Sequence, residues 1–243
     1  MTTTRICLWS GPRNISTALM YSFAQRLDTT VYDEPLYAHY LSKTPAREYH
    51  PGAETVIATM ENDGEKVVRD LILGQQPTPV AFFKHMTHHL IDLDWGFLDL
   101  TVNVLLSRDP REMLPSYARV VTHPSLEDVG YAQHVALLDY LTARGREPVV
   151  LDARQVLLNP QNVLHELCRK IGIAFEPGML HWPPGPRPED GSWARYWYES
   201  VHRSQGFAPY RPKTEPFPAS LEPLLAQCRP LYERLSALAI TAG

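Results

Sequence analysis

The segment Arg5-Ile6-Cys7-Leu8-Trp9-Ser10-Gly11-Pro12-Arg13-Asn14-Ile15-Ser16-Thr17-Ala18-Leu19 constrains this chain more than any other stretch. Arg5–Trp9 is mostly apolar and predicts a buried strand. Gly11, Pro12 and Asn14 make a tight turn, and Ser16 and Thr17 open a stretch with helical spacing at Leu19, Met20 and Phe23. Strand, turn and helix start together aim free backbone N–H groups and the positive end of a helix dipole at one point. Arg13 adds a fixed positive charge there, and Ser16 and Thr17 add hydroxyl donors. Such a cradle suits a phosphate or a sulfate. It is not a nucleotide-hydrolase loop, which reads G-x-x-x-x-G-K-[ST]. Four residues after Gly11 the chain reaches Ser16-Thr17-Ala18, with no second Gly and no Lys.

At 243 residues the chain suits one sizeable α/β domain spanning 1–243. A net charge of −4 argues against a nucleic-acid partner held by a basic surface, while a small anion needs only a local positive pocket. Cys7, Cys168 and Cys228 are scattered and odd in number, so neither a disulfide framework nor a metal site is expected. The ten histidines include no H-E-x-x-H, which also argues against a metal. No G-x-S-x-G elbow supports Ser-His-Asp hydrolysis. There is no signal-peptide pattern and no apolar run long enough to span a bilayer, so a cytoplasmic setting without membrane attachment is expected. Oligomeric state is open at this level.

Strand-like runs recur at Arg5–Trp9, Thr30–Tyr32, Val80–Phe83, Val102–Leu106 and Pro148–Leu151. Helix-like stretches separate them, the clearest being Ser16–Leu27, Glu54–Leu73, Arg111–Val121 and Leu126–Arg144. Alternation of this kind predicts an α/β fold with a central parallel β-sheet flanked by helices. In such sheets ligands sit beyond the carboxyl ends of the strands. The first four strands run into polar clusters: Ser10–Thr17, Asp33-Glu34, Lys84-His85 and Ser107-Arg108-Asp109. Residues 176–218 are Pro- and aromatic-rich, with Trp193-Ala-Arg-Tyr-Trp-Tyr198 at their centre. They read as a lid or acceptor loop, and Leu221–Leu238 reads as a closing helix.

The fourth strand continues as Ser107-Arg108-Asp109-Pro110, and Ser116 follows eight residues after Arg108. An Arg at a strand end and a Ser two helical turns on can grip one phosphate together. The two motifs resemble those of sulfotransferases that use 3′-phosphoadenosine-5′-phosphosulfate (PAPS). Pro12-Arg13-Asn14-Ile15-Ser16-Thr17 resembles that family's 5′-phosphosulfate loop, P-[KR]-[SN]-x-[ST]-T. Arg108-Asp109-Pro110 with Ser116 resembles its 3′-phosphate clamp. Gly11–Thr17 followed by Asp33-Glu34-Pro35-Leu36-Tyr37 also resembles a bacterial and plant group of sulfotransferase-like proteins with G-P-R-N-[IV]-S-T and D-E-P-L-Y. The resemblance covers roughly residues 5–170 and is strong at the two loops.

It implies a P-loop NTPase-like sulfotransferase fold, with Gly11, Pro12, Arg13, Asn14, Ile15, Ser16, Thr17, Arg108 and Ser116 at PAPS and 3′-phosphoadenosine-5′-phosphate (PAP) as product. It implies that Arg13 stabilises charge on the transferring sulfuryl group. Lys84 is the expected partner of a bridging or sulfuryl oxygen. Transfer to a hydroxyl or amine of a small-molecule acceptor also needs a general base. His85 and Glu34 are the two candidates: a histidine titrates nearest neutrality, whereas a carboxylate needs its pKa raised by burial. The family spaces its Lys and His by one residue, whereas here they are adjacent. His88 or His89 is a lesser alternative for the base, and the favoured reading of His88-His89 is an exposed loop pair. Arg203, in a basic Gly-containing stretch, is expected over the cofactor in the manner of the family's C-terminal loop. Trp193, Tyr196, Trp197 and Tyr198 line an acceptor pocket or pack under a lid. An ATP-dependent small-molecule kinase-like phosphotransferase, or a non-catalytic nucleotide-binding member of the fold, stays open beside this reading.

Overall fold

The computed structural model describes residues 3–243. Five parallel strands form its centre: β1 (Thr4–Ser10), β2 (Thr29–Asp33), β3 (Val80–Met86), β4 (Val102–Ser107) and β5 (Val149–Asp152). Their order in the sheet is β2-β3-β1-β4-β5. Parallel neighbours need crossover connections, and helices supply them on both faces. On one face α1 (Ser16–Phe23) and the helix Pro160–Ile171 bring Leu19, Phe23, Leu164 and Leu167 into one core with Ile6, Leu8 and Phe82. On the other, the helix Tyr131–Ala143 joins Leu137 and Leu141 to Trp9, Phe83 and Leu105. Each such fully buried side chain stabilises the fold by about 1.5–3 kcal/mol. Burial on both faces is why the strands read as nearly continuous apolar runs.

From β1 the chain moves to the β2–β3 side, and from β4 it moves to the β5 side. β1 and β4 are paired neighbours whose connections leave in opposite directions. A crevice opens beyond the carboxyl ends of such a pair. The loops Gly11–Ile15 and Arg108–Asp109 flank it.

Three expectations about elements need correction. β3 does not end at Phe83: its pairing with β1 continues through Trp9↔His85 and Ser10↔Met86. Lys84 and His85 therefore lie inside the strand and face opposite sides of the sheet. The stretch Glu54–Leu73 is not one helix but Ala53–Thr59, Gly64–Lys66 and a wider turn over Val67–Ile72. Asn62-Asp63-Gly64 breaks it: Asp63 caps the new start by accepting the Lys66 N–H at 3.2 Å. Leu126–Arg144 divides at Gly130, whose φ of 72° stops one helix and starts the next. No helix among the described residues is long and apolar enough to cross a membrane.

Candidate active site

The loop after β1 is shaped by three residues. A side chain at Gly11 would meet the Val129 carbonyl oxygen at 3.0 Å, a crowded approach that favours glycine. Arg13 takes the left-handed region, φ 52°, and turns the chain. Asn14 ties the loop to β4: its amide donates to the Leu106 carbonyl at 3.1 Å and its oxygen accepts the Ile15 N–H at 2.9 Å. α1 then begins with no side-chain cap. Its first N–H groups are left for an external acceptor.

The second loop meets the first here. Arg108 donates to the Arg13 carbonyl at 3.1 Å and to Glu112 at 3.4 Å, and its Nε is buried without a partner. Arg13 Nε donates to Ser116 Oγ at 3.1 Å, and another of its nitrogens donates to the Trp197 carbonyl at 3.3 Å. Burial, then the charges of Arg108 and Arg119, push the Arg13 pKa down. Like charges gathered this closely, with an orphaned N–H beside them, make a corner that fits an anion.

A third group comes from β2, β3 and the C-terminal segment. Asp33 and Lys84 are register partners, and their side chains meet at 2.8 Å. Glu34 follows with φ 49° and also pairs with Lys84. The Tyr198 hydroxyl accepts from Lys84 at 2.7 Å and donates to Asp33. Burial raises the Glu34 pKa; Lys84 opposes this and Asp33 reinforces it. Burial works against the Lys84 charge, yet Asp33 and Glu34 hold the ammonium well above its ordinary range.

Residues of all three groups, though not Asp33, line one cleft of about 350 Å³. Pro12, Arg13, Asn14, Ile15, Ser16 and Thr17 form its β1 side, and Arg108 and Ser116 its β4 side. Glu34 and Lys84 stand on the β2–β3 side, and Trp193, Trp197 and Tyr198 cover it. Gly11 lies under the loop, against Val129.

Besides Gly11, two predicted site residues, His85 and Arg203, are not brought to the cleft. His85 is 0% exposed and stacks on Trp9 at 4.3 Å, on the sheet face opposite Lys84. Burial, with the Lys84 charge, pushes its pKa to about 3. It has neither the position nor the basicity to take a proton from a substrate in the cleft. Arg203 is turned to solvent and pairs with Glu199, one helical turn back, so it covers nothing. His88 and His89 are also not an exposed pair. Both are buried, and His89 stacks on Tyr37 and Tyr40 at 5.0 and 4.7 Å. Tyr196 is exposed and does not line the cleft.

Sequence reasoning missed His50, Asp33 as a partner of Lys84, and the Trp197 carbonyl. His50 lines the cleft and accepts from, or donates to, the Tyr37 hydroxyl at 2.8 Å. Its loop carries no motif that would have drawn attention to it. Asp33 was visible beside Glu34, but its tie to Lys84 depends on strand register.

The family model for the sulfotransferase domain matches residues 4–239. The chain is 40% identical over 229 residues to branched-chain-amino-acid aminotransferase-like protein 2 of Arabidopsis thaliana. It is 41% identical over 228 residues to protein 1 of that name from the same plant. Each match covers 93% of this chain but 40% of the relative, so the chain spans about two-fifths of those relatives' length. Among solved structures it resembles a sulfotransferase from Alicyclobacillus acidocaldarius, with TM-score 0.55, 16% identity and coverage of 98% and 96% of the two chains. It also resembles the sulfotransferase domain of the Synechococcus PCC 7002 olefin synthase, with TM-score 0.54, 14% identity and coverage of 93% and 95%. The sulfotransferase domain of the curacin biosynthetic pathway gives TM-score 0.54, 16% identity and coverage of 93% and 98%. At these identities the likeness is one of fold.

Proposed function

This chain belongs to the sulfotransferase family, and we propose that it moves a sulfuryl group from PAPS to a hydroxyl or amine of a small acceptor. One observation carries the reading: a single cleft holds both the positive corner and the Lys84–Glu34 pair. PAPS presents two anionic ends and supplies the activated sulfuryl group. The open start of α1, with Ser16 and Thr17, would hold the 5′-phosphosulfate end. Arg108, with its unpartnered Nε, and Ser116 would hold the 3′-phosphate.

The chain's own residues then supply the chemistry. The acceptor oxygen or nitrogen attacks sulfur, the bond from sulfur to the 5′-phosphate oxygen breaks, and PAP leaves. Glu34 takes the acceptor's proton as the new bond forms. Its burial makes it more basic than an ordinary carboxylate, and it fronts the cleft where His85 does not. Arg13 is a preplaced cation for charge on the transferring group. The neutral imidazoles of His50 and His88, held there by burial at pKa values of about 4 and 3, give the acceptor end polar but uncharged walls. Incubation with PAPS and a panel of alcohols and amines, followed for PAP release, tests this. Acceptor-dependent PAP is expected. Turnover of ATP with magnesium, and none of PAPS, would overturn the donor.

A further inference from the structure

We infer that Asp33 is a positioning residue: it takes the Lys84 ammonium as its own counter-ion and leaves Glu34 the under-compensated carboxylate of the pair. The inference rests on the reading of Glu34 as the proton acceptor. An ammonium has three donors. Those of Lys84 go to Asp33 at 2.8 Å, to the Tyr198 hydroxyl at 2.7 Å and to Glu34. One positive charge therefore serves two carboxylates, and they are not equivalent.

Asp33 is the better held of the two. Its oxygens accept from Lys84, from the Tyr198 hydroxyl at 2.8 and 2.9 Å, and from the Gly191 N–H at 3.1 Å. The single Tyr198 proton is committed to Asp33, because Lys84 and Trp193 Nε1 both donate to the same hydroxyl oxygen. Asp33 is buried and does not line the cleft. Glu34 lines the cleft, and Lys84 is the side chain that donates to it. The backbone explains the difference. Asp33 ends β2 beside Lys84 in register, whereas Glu34 leaves the strand at φ 49°.

The groups around Glu34 are Lys84 from β3, Asp33 on its own segment, Tyr37 from the helix Tyr37–Lys43 and Tyr198 from the C-terminal segment. The tyrosines stay neutral, because burial raises both of their pKa values. Asp33 is thus the negative charge that offsets Lys84 for Glu34. Without it, the ammonium would fall wholly to Glu34, hold it ionised and reduce its basicity.

The test reads Glu34 directly. Full-length protein labelled with ¹³C at glutamate carboxyls is titrated by NMR, with Glu34→Gln assigning the resonance. In the unmodified protein the Glu34 midpoint is expected above the ordinary value of about 4.3. Asp33→Asn keeps the side chain's shape and is expected to lower that midpoint by about one pH unit. An unmoved midpoint in Asp33→Asn overturns the inference. So does a Glu34 midpoint at or below the ordinary value in the unmodified protein, which needs no Asp33 variant to fold. A purely structural Asp33 would not move the midpoint. The base reading fails separately, if Glu34→Gln retains PAP release from PAPS.

Discussion

Arg13 Nε donates to Ser116 Oγ across 3.1 Å and joins the loop after β1 to the helix after β4. The two residues are 103 apart in sequence, and the bond ties the loop after β1 to the segment after β4. Substituting Arg13 therefore removes both a preplaced charge and a link. Arg13→Ala is expected to lower kcat about 10²–10³-fold. Ser116→Ala leaves the charge in place and removes one hydroxyl, so PAP affinity should fall by about threefold to tenfold. Steady-state kinetics with PAPS and calorimetry with PAP check the two effects separately.

Glu34 and His85 separate cleanly as bases. Glu34→Gln is expected to lower kcat by about 10²–10⁴-fold, the range of general-base contributions, with PAP affinity kept. His85→Phe preserves the stack on Trp9 and removes two ring nitrogens that have no hydrogen-bond partner. Its kcat should match the unmodified protein, and its Tm should be equal or higher. A large kcat loss in His85→Phe at unchanged Tm would contradict the placement.

Stability should fall on mild acidification. Burial pushes His50 to about 4, and His85 and His88 to about 3, whereas all three titrate near 6.5 when unfolded. The unfolded chain then binds more protons than the folded one between about pH 6.5 and 4. The histidine contribution is fully present above pH 6.5 and is lost as pH drops through that window. Each histidine contributes a slope of up to about 1.4 kcal/mol per pH unit. Urea midpoints at several pH values from 7.5 to 4.5 measure the slope, and His85→Phe should make it shallower.

The thiols should be inert in the native protein. Burial raises Cys7 and Cys228 to about 12 and Cys168 to about 11, so thiolate is scarce at pH 8. Iodoacetamide should leave the folded chain unmodified and alkylate all three cysteines in denaturant, as read by mass spectrometry.

The parts of this molecule that the sequence displays are the local ones. Gly11–Thr17 carries its turn, its charge and its helix start within a few residues, so the strand–turn–helix loop is legible without any partner. The strand runs are legible because both sheet faces are buried. Lys84 and His85 are not, because nothing local marks where β3 stops, and three more residues of pairing place them inside the strand, on opposite faces. The Asp33–Lys84–Tyr198 cluster joins residues up to 165 positions apart and depends on strand register and on the path of the C-terminal segment. His88 and His89 look like a polar loop pair, but Tyr37 and Tyr40 arrive from another helix to bury them. Arg203 is the converse case. Glu199, four residues earlier, was a local signal for a surface ion pair that outweighs the distant motif.

The most direct measurement is calorimetry of PAP against 5′-AMP, which lacks the 3′-phosphate, using the unmodified protein and Arg108→Ala. PAP is expected to bind at micromolar concentrations and AMP at least about tenfold more weakly, the loss expected for one charge-assisted contact to phosphate. Arg108→Ala should remove most of that difference. A folded protein that binds no PAP, or that binds PAP and AMP equally, would contradict the assignment of PAPS as donor.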